Sequence, residues 1–598
     1  MPKFGTHLII AELAAQKRPD VFGVPHSNAF RLGAIGPDTT LFMFDPATSN
    51  PDLRKGFETA LSVLEIMQDV KDEFKKIEET LTRPVDDLKD YLTGGLSKDL
   101  SYTVEAGIEA LLLAAKLGIA FGVGSINVNN PLFSRLPELP GDFIKNPEHA
   151  AQKWVVSTTD NFGFPFRMFG HPLTDDGAWK SPEPTGDYSK WWWMDMLHYR
   201  KTGQFASQLL RNANGHLEES YAKGYMTHVA GDITGHPFIN SLVGGPFRNH
   251  AYRHLVLETL ADTWLWHEQA RGDAAGAGLN RQIDLGTSEA RRIAELVVKS
   301  MRDVYKPPMV PALLRNGYPD RDEFLGGYRL LKQYLRLSTG GTIRRPQPPP
   351  DRFDEVWKEI RDLLDAANPG PPPNWNGNIA DFIASLFSWA AKGFVLIAMI
   401  VLLPAAVLTR LVALAPRWVI YLLNLSIFYI ISAIRTMLCL TGWGYASIDD
   451  FKSFGFLEDM ITSRYHPDVQ YPRKTGRNPK PPFYWLESPD RISQVERGQT
   501  VAFVPARQGF KPNWMISSSN AMDLAHRVDL ERLAQAPTPS DALQLQLRLR
   551  GSNGFGNAVD FSIALLEGSF PVPDLDLDGD RGYGYRGWEE LPPNERYV

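Results

Sequence analysis

The 598-residue sequence predicts a mainly α-helical chain with a smaller β-rich or α+β region at its C-terminal end. Three observations lead there. Apolar residues recur at spacings of three and four through LRKGFETALSVLEIMQDVKDEFKKIEETL, the period of a helix buried along one side. Histidines and carboxylates repeat every four residues in HVAGDITGHP and again in NHAYRHLVLETLAD, so the ligand-type side chains also follow a helical period. Two apolar runs of helical length lie about two thirds of the way along the chain, and alternating patterns gather only after residue 450.

In chain order, a helix is expected from His7 to about Gln16, followed by a loop containing FRLGAIGPD. Residues 52–125 read as helical, and VEAGIEALLLAAKLGIAFGVG, interrupted by Glu109 and Lys116, reads as a buried core helix. A stretch rich in Pro, Gly and aromatics follows to about residue 190, and helices return through 335. The proline runs RRPQPPPDRF and NPGPPPNWNGN favour extended chain and bracket one short helix, FDEVWKEIRDLLDAA. The expected organisation is therefore residues 1–335 with a helical insertion at about 46–190, a linker over 336–380, an apolar helical hairpin over 381–445 and a last domain over 446–598.

Gly393–Thr409 and Trp418–Ile434 are each 17 residues without a charge, flanked by Lys392, Arg410, Arg417 and Arg435. That length is the lower limit for crossing a bilayer, and Pro404 should kink the first run. Membrane insertion is the reading taken forward; a buried helical pair in a large domain is its rival. Basic residues at both ends of both runs leave orientation open. In the last domain, AFVPARQ, ALQLQLRLRG and AVDFSIALLEG carry β-type patterns. DLDLDGDRGYGY sets Asp574, Asp576, Asp578 and Gly579 at the first, third, fifth and sixth places of a calcium loop, but the twelfth is Tyr585 rather than Glu. The half-motif fits either a Ca²⁺ site or an acidic turn.

Composition narrows the chemistry. A net charge of −6 and a pI near 6.1 give no electrostatic reason to expect a nucleic-acid partner. Cys439 is the only cysteine, which excludes an internal disulfide and leaves imidazole and carboxylate as metal ligands. Of 13 histidines, 11 precede residue 268. His228, Asp232 and His236 stand at four-residue spacing, as do His250, His254, Glu258 and Asp262. Two such helices packed together would hold two or three divalent ions with N and O ligands.

Five blocks, in order, carry a resemblance: MPKFGTHLIIAELA, FRLGAIGPDTTLF, WWWMDMLHYRKTGQFASQLLRNA, YAKGYMTHVAGDITGHPFIN and HLVLETLADTWL. Together they resemble the zinc-dependent phospholipase C family, most closely its cytoplasmic-type bacterial members. That family has an all-α fold and is distantly related to zinc-dependent single-strand nucleases. The resemblance covers blocks within residues 1–270 and implies His7 as the N-terminal histidine ligand. It implies Asp38 as the loop aspartate beside the nucleophilic water, and His198 as the next ligand, with His171 its rival. His228 and Asp232 match the family's H-x-x-x-D, the aspartate bridging two ions. His254 and Glu258 match its final H-x-x-x-E, with His250 an alternative imidazole and Asp262 a further candidate. Secreted members place their next histidine six residues after the bridging aspartate, where this chain has Phe238; here His236 comes four after it. Secreted members also bind a third ion through an N-terminal Trp. This chain begins Met-Pro, so the resemblance leaves the count at two or three Zn²⁺.

The implied activity is hydrolysis of phospholipid phosphodiesters at a membrane, with the insertion acting as a lid or substrate-selecting element. A nuclease on the same scaffold, and a membrane-inserting toxin or scaffold with a structural metal, stay open. The N-terminal stretch has no secretory signal, so the expectation is synthesis in the cytoplasm followed by membrane association. An apolar hairpin beside a lipase-like head also suits an exported antibacterial effector, which would need a chaperone or an immunity protein as partner.

Overall fold

The computed structural model describes residues 3–23, 27–43, 51–88, 90–122, 193–243, 247–307, 318–341, 344–351, 354–366, 379–401, 403–448 and 558–567, with positions 572, 574 and 577. Among these residues the chain is 81% helical and has no strand. The helices that matter below are α1 (Phe4–Lys17), α2 (Ser27–Ala34), the single turn α3 (Gly36–Thr39), α4 (Pro51–Leu81) and α5 (Leu96–Gly122). After them come α6 (Trp193–Tyr199), α7 (Thr202–Asn212), α8 (His216–Val243), α9 (Phe247–Glu268), α10 (Thr287–Val304) and α11 (Arg321–Ser338). The last are α12 (Trp357–Ala366), α13 (Ile379–Val401), α14 (Ala405–Leu414), α15 (Pro416–Leu440) and α16 (Ala558–Leu566).

The chain divides into two compact units, one from Met1–Asn50, His171–Gly340 and Tyr445–Val598, the other from Pro51–Gly170 and Gly341–Gly444. The first is built around α8. Every residue from Gly224 to Ile233 is buried, so this part of α8 is enclosed on all sides, with Tyr225, Val229, Ala230 and Ile233 forming an apolar face and His228 and Asp232 a polar one. Helices α1, α2, α7, α9, α10 and α16 pack on it. FRLGAIGPD, expected as a loop, forms α2 and α3 instead. Its glycines, poor helix formers in isolation, are held by packing against α8. Nor does α8 end at Pro237. It continues to Val243, so the cost of a proline inside a helix (about 3 kcal/mol) is offset by burial on both sides of it.

AVDFSIALLEG, expected to be β-type, is helix α16 and not a strand. A short apolar run reads equally well as strand or helix, and here its buried face packs on α8 and α1. Ion pairs from Lys17 to Asp560 and from Arg18 to Glu567 tie it down. AFVPARQ and ALQLQLRLRG lie outside the described residues.

The second unit is a helical bundle in which α4 packs along α5, α13 along α15, and α15 against both α4 and α5. The short linker helix is present as α12 and rests on α13; Trp357 meets Trp418 edge-on at 5.2 Å. The first of the two apolar runs is not one helix. It breaks where α13 ends and α14 begins behind Pro404, because the residue before a proline is pushed out of helical geometry. Among the described residues one helix, Pro416–Cys439, is long and apolar enough to cross a membrane, and 83% of its most apolar window is buried by the protein itself.

Candidate metal centre

The centre begins with two glycines. A Cβ on Gly224 of α8 would lie 2.0 Å from the Phe30 carbonyl oxygen, and one on Gly33 of α2 would lie 2.0 Å from that of Tyr221. Only glycine at both positions lets the two backbones approach this closely. The contact brings the Ala34 carbonyl to 2.9 Å from Nδ1 of His228, and α3 then carries Asp38 inward beside it.

Five ligand-type residues from four helices meet there. His7 of α1 places Nε2 3.2 Å from Asp232 Oδ1, and its ring stacks on that of His228 at 4.0 Å between centroids. His228 Nε2 is 2.9 Å from Asp232 Oδ2. His198 of α6 faces Asp38 at 3.6 Å and Asp232 at 3.7 Å. All five are buried. His228 is thus common to a group formed with His7 and Asp232 and a group formed with Asp38 and His198, and Asp232 Oδ2 also approaches His198 Nε2 at 3.7 Å.

A third group lies further along α8. His236 joins His254 and Glu258 of α9, with ligand atoms within 4.8 Å of one another. The ladder divides for a geometric reason. Four residues turn a helix through about 400°, so each rung drifts about 40° and His236 points about 80° away from His228. Hence His228 and Asp232 face α1, α3 and α6, whereas His236 faces α9.

Hydrogen bonding orients the rings. His198 Nδ1–H donates to the Met194 carbonyl at 2.7 Å and His228 Nδ1–H to that of Ala34, tautomers fixed by those acceptors. Both leave the Nε2 lone pair directed at the cluster. His236 Nδ1–H donates to the Leu577 carbonyl, and the Leu577 N–H donates to the His198 carbonyl at 2.8 Å. His7 Nε2, His198 Nε2, His228 Nε2, Asp38 Oδ1 and both oxygens of Asp232 make no hydrogen bond of acceptable geometry and are shielded from solvent. Each buried unpaired polar atom costs about 1–3 kcal/mol, so six in one pocket form a group that a bound cation would stabilise. These buried imidazoles and carboxylates can hold a divalent metal ion.

The electrostatics agree. Burial, reinforced by His228, holds His7 below the usual imidazole value of 6.5 against the pull of Asp232. Burial acts the same way on His198, but Asp38 and Asp232 outweigh it and raise that ring. Burial would raise Asp232; His228 and His7 overcome it and hold the carboxyl well below its ordinary range.

The remaining candidates separate. Asp262 accepts from Gly5 N, Thr6 N, Thr6 Oγ and Tyr445 Oη, so its oxygens are occupied at the start of α1 and not by the cluster. His250 lies on α9, with a side chain outside the described set, as is all of His171. Asp574 accepts from the backbone and side chain of Gln204 at 2.9 and 2.6 Å. Asp576 and Asp578 lie outside the described residues. Sequence reasoning missed Leu577, which is buried against His198 and His236, and Gly231, whose missing Cβ makes room for His7. Nothing local signals either residue, because both partners are distant in the chain.

No family model matches the chain, and no curated protein or solved structure matches it.

Proposed function

We propose that the chain is a zinc-dependent hydrolase of phospholipid phosphodiesters. One observation carries the reading: unpaired imidazole nitrogens and carboxylate oxygens converge in one buried pocket, from an N-terminal His, a G-x-x-x-P-D aspartate, His198 and an H-x-x-x-D, while the H-x-x-x-E belongs to a separate buried group with His236. An N/O donor set without thiolate suits Zn²⁺. His7, His198, His228, Asp38 and Asp232 would hold two ions, and His236, His254 and Glu258 a third. Bound zinc supplies Lewis acidity that makes hydroxide available near neutral pH and stabilises charge on phosphoryl oxygens.

The chain's own residues do the rest. Asp38 stands opposite His198 with Oδ1 unpaired, so it is placed to orient the attacking water and accept its proton. His198 and His228 are fixed through Nδ1 and keep the pocket rigid while charge shifts within it. Attack of that water on phosphorus breaks the bond to the glycerol oxygen, releasing diacylglycerol, which takes up a proton, and the phosphorylated headgroup. Helix Pro416–Cys439 is compatible with a lipid substrate by length and composition alone, although most of its apolar window is buried by the protein. It is equally compatible with a second reading, in which the apolar helices act on membranes and the metal is structural; the exported-effector context applies to both.

To separate them, the His228→Ala/Asp232→Ala variant is assayed on phospholipid vesicles for headgroup release and dye leakage. Headgroup release reduced more than about 100-fold is expected. Undiminished release refutes the hydrolase; leakage retained without release favours the second reading.

A further inference from the structure

His7 differs from the other imidazoles of its cluster. His198 and His228 are each steered by an Nδ1–H bond to a backbone carbonyl, but among the described residues His7 Nδ1 meets no hydrogen-bond partner. Its ring is held by stacking on His228, by the approach of Nε2 to Asp232 at 3.2 Å and by the space beside Gly231, where a Cβ would come within 2.7 Å of His7 Nδ1. Something else must fix the backbone that carries it.

That anchor is visible one and two residues earlier. Helix α1 has no acidic residue in its first turn, and Lys3 at its N-cap makes no side-chain cap. Instead the Asp262 carboxylate, from α9, receives Gly5 N–H at 2.7 Å, Thr6 N–H at 2.8 Å and Thr6 Oγ–H at 2.6 Å. The two N–H groups are among those a helix start leaves without a partner four residues back, Thr6 N–H being shared with the Lys3 carbonyl at 3.1 Å, and a carboxylate is the group the helix dipole favours. A Cβ at Gly5 would lie 3.0 Å from Asp262 Oδ2, so the approach is close. Tyr445 Oη–H holds the same carboxylate from the far side at 2.9 Å, and Lys3 Nζ bonds Thr259 Oγ one turn back along α9.

We propose that Asp262 is a positioning residue for the metal centre: it caps α1 from α9 and thereby sets where the His7 ring meets Asp232. The ladder on α9 then changes function along its length, His254 and Glu258 facing a metal group and Asp262 facing the backbone of the His7 helix. This rests on the metal-centre reading above.

Full-length wild type, Asp262→Asn, His7→Ala and the double variant are loaded with zinc, and ions per chain are counted during titration with a chelator. Cobalt-substituted samples give the ligand-field spectrum. In Asp262→Asn one ion should bind about 10–100-fold more weakly, with an altered cobalt spectrum, while the ion of His236, His254 and Glu258 keeps its affinity. The double variant should match His7→Ala alone, because both act on one ligand. Unchanged affinities, equal weakening of every ion, or additive losses overturn the proposal, as does a lowered melting temperature with intact ion binding. If Asp262→Asn does not fold, Thr6→Val removes one donor and should weaken the same ion several-fold; wild-type binding there overturns the idea. A wild-type protein retaining less than one zinc instead refutes the metal centre itself.

Discussion

The two units bury polar groups in opposite ways. In the helical bundle, Ser426 Oγ–H returns to the Leu422 carbonyl at 2.8 Å, Thr436 to that of Ser432 and Thr103 to that of Asp99. Each of these hydroxyls is satisfied within its own helix, and the buried indole N–H of Trp389, which lacks a hydrogen-bond partner among the described residues, stands apart from any such group. In the unit built on α8, His7, Asp38, His198, His228 and Asp232 leave ring nitrogens and carboxylate oxygens unpaired against one another. The contrast teaches that burial alone does not mark a functional group. What marks it is burial together with a hydrogen-bonding capacity that the fold declines to use, concentrated at one point.

The comparison can be broken at its strongest place. Gly224→Ala drives a Cβ into the Phe30 carbonyl, a backbone atom that cannot swing aside. Denaturant unfolding should show a loss of about 1–3 kcal/mol or more, with zinc affinity falling because α2 and Asp38 move away from His228. Wild-type stability and affinity would mean that the α2–α8 approach does not position the centre. At the small end, Ser426→Ala removes a bond its own helix supplied, in a residue type that favours helix less than alanine does. A change within about 1 kcal/mol is expected in the same assay, with zinc content unaltered. A loss several times larger would show that the bundle also depends on a buried polar contact, and the contrast would lapse.

Much of the centre was legible in the sequence, because four-residue spacing states which side chains share a helix face. His228 with Asp232, and His254 with Glu258, came from that rule. The rule also misled. It placed His236 with His228, whereas the drift of about 40° per rung sends it to another group. Asp262 sat on the same ladder and is a cap, since the donors it meets come from residues 5 and 6, some 256 positions away. FRLGAIGPD read as a loop because glycine signals turns; its helices exist only through contact with α8. The AVDFSIALLEG error has the same origin, because an apolar run too short to display a period takes its structure from what it packs against. In the bundle, periodicity identified the helices but not which of them cover the apolar α15.

The central claim is that the unpaired atoms around Asp232 are a metal cradle. Elemental analysis of the purified full-length protein, after dialysis against zinc-free buffer, tests it without reference to substrate. Two or three zinc ions per chain are predicted, falling sharply in the His228→Ala/Asp232→Ala variant. Less than one ion per chain, or an equal content in wild type and variant, would contradict it.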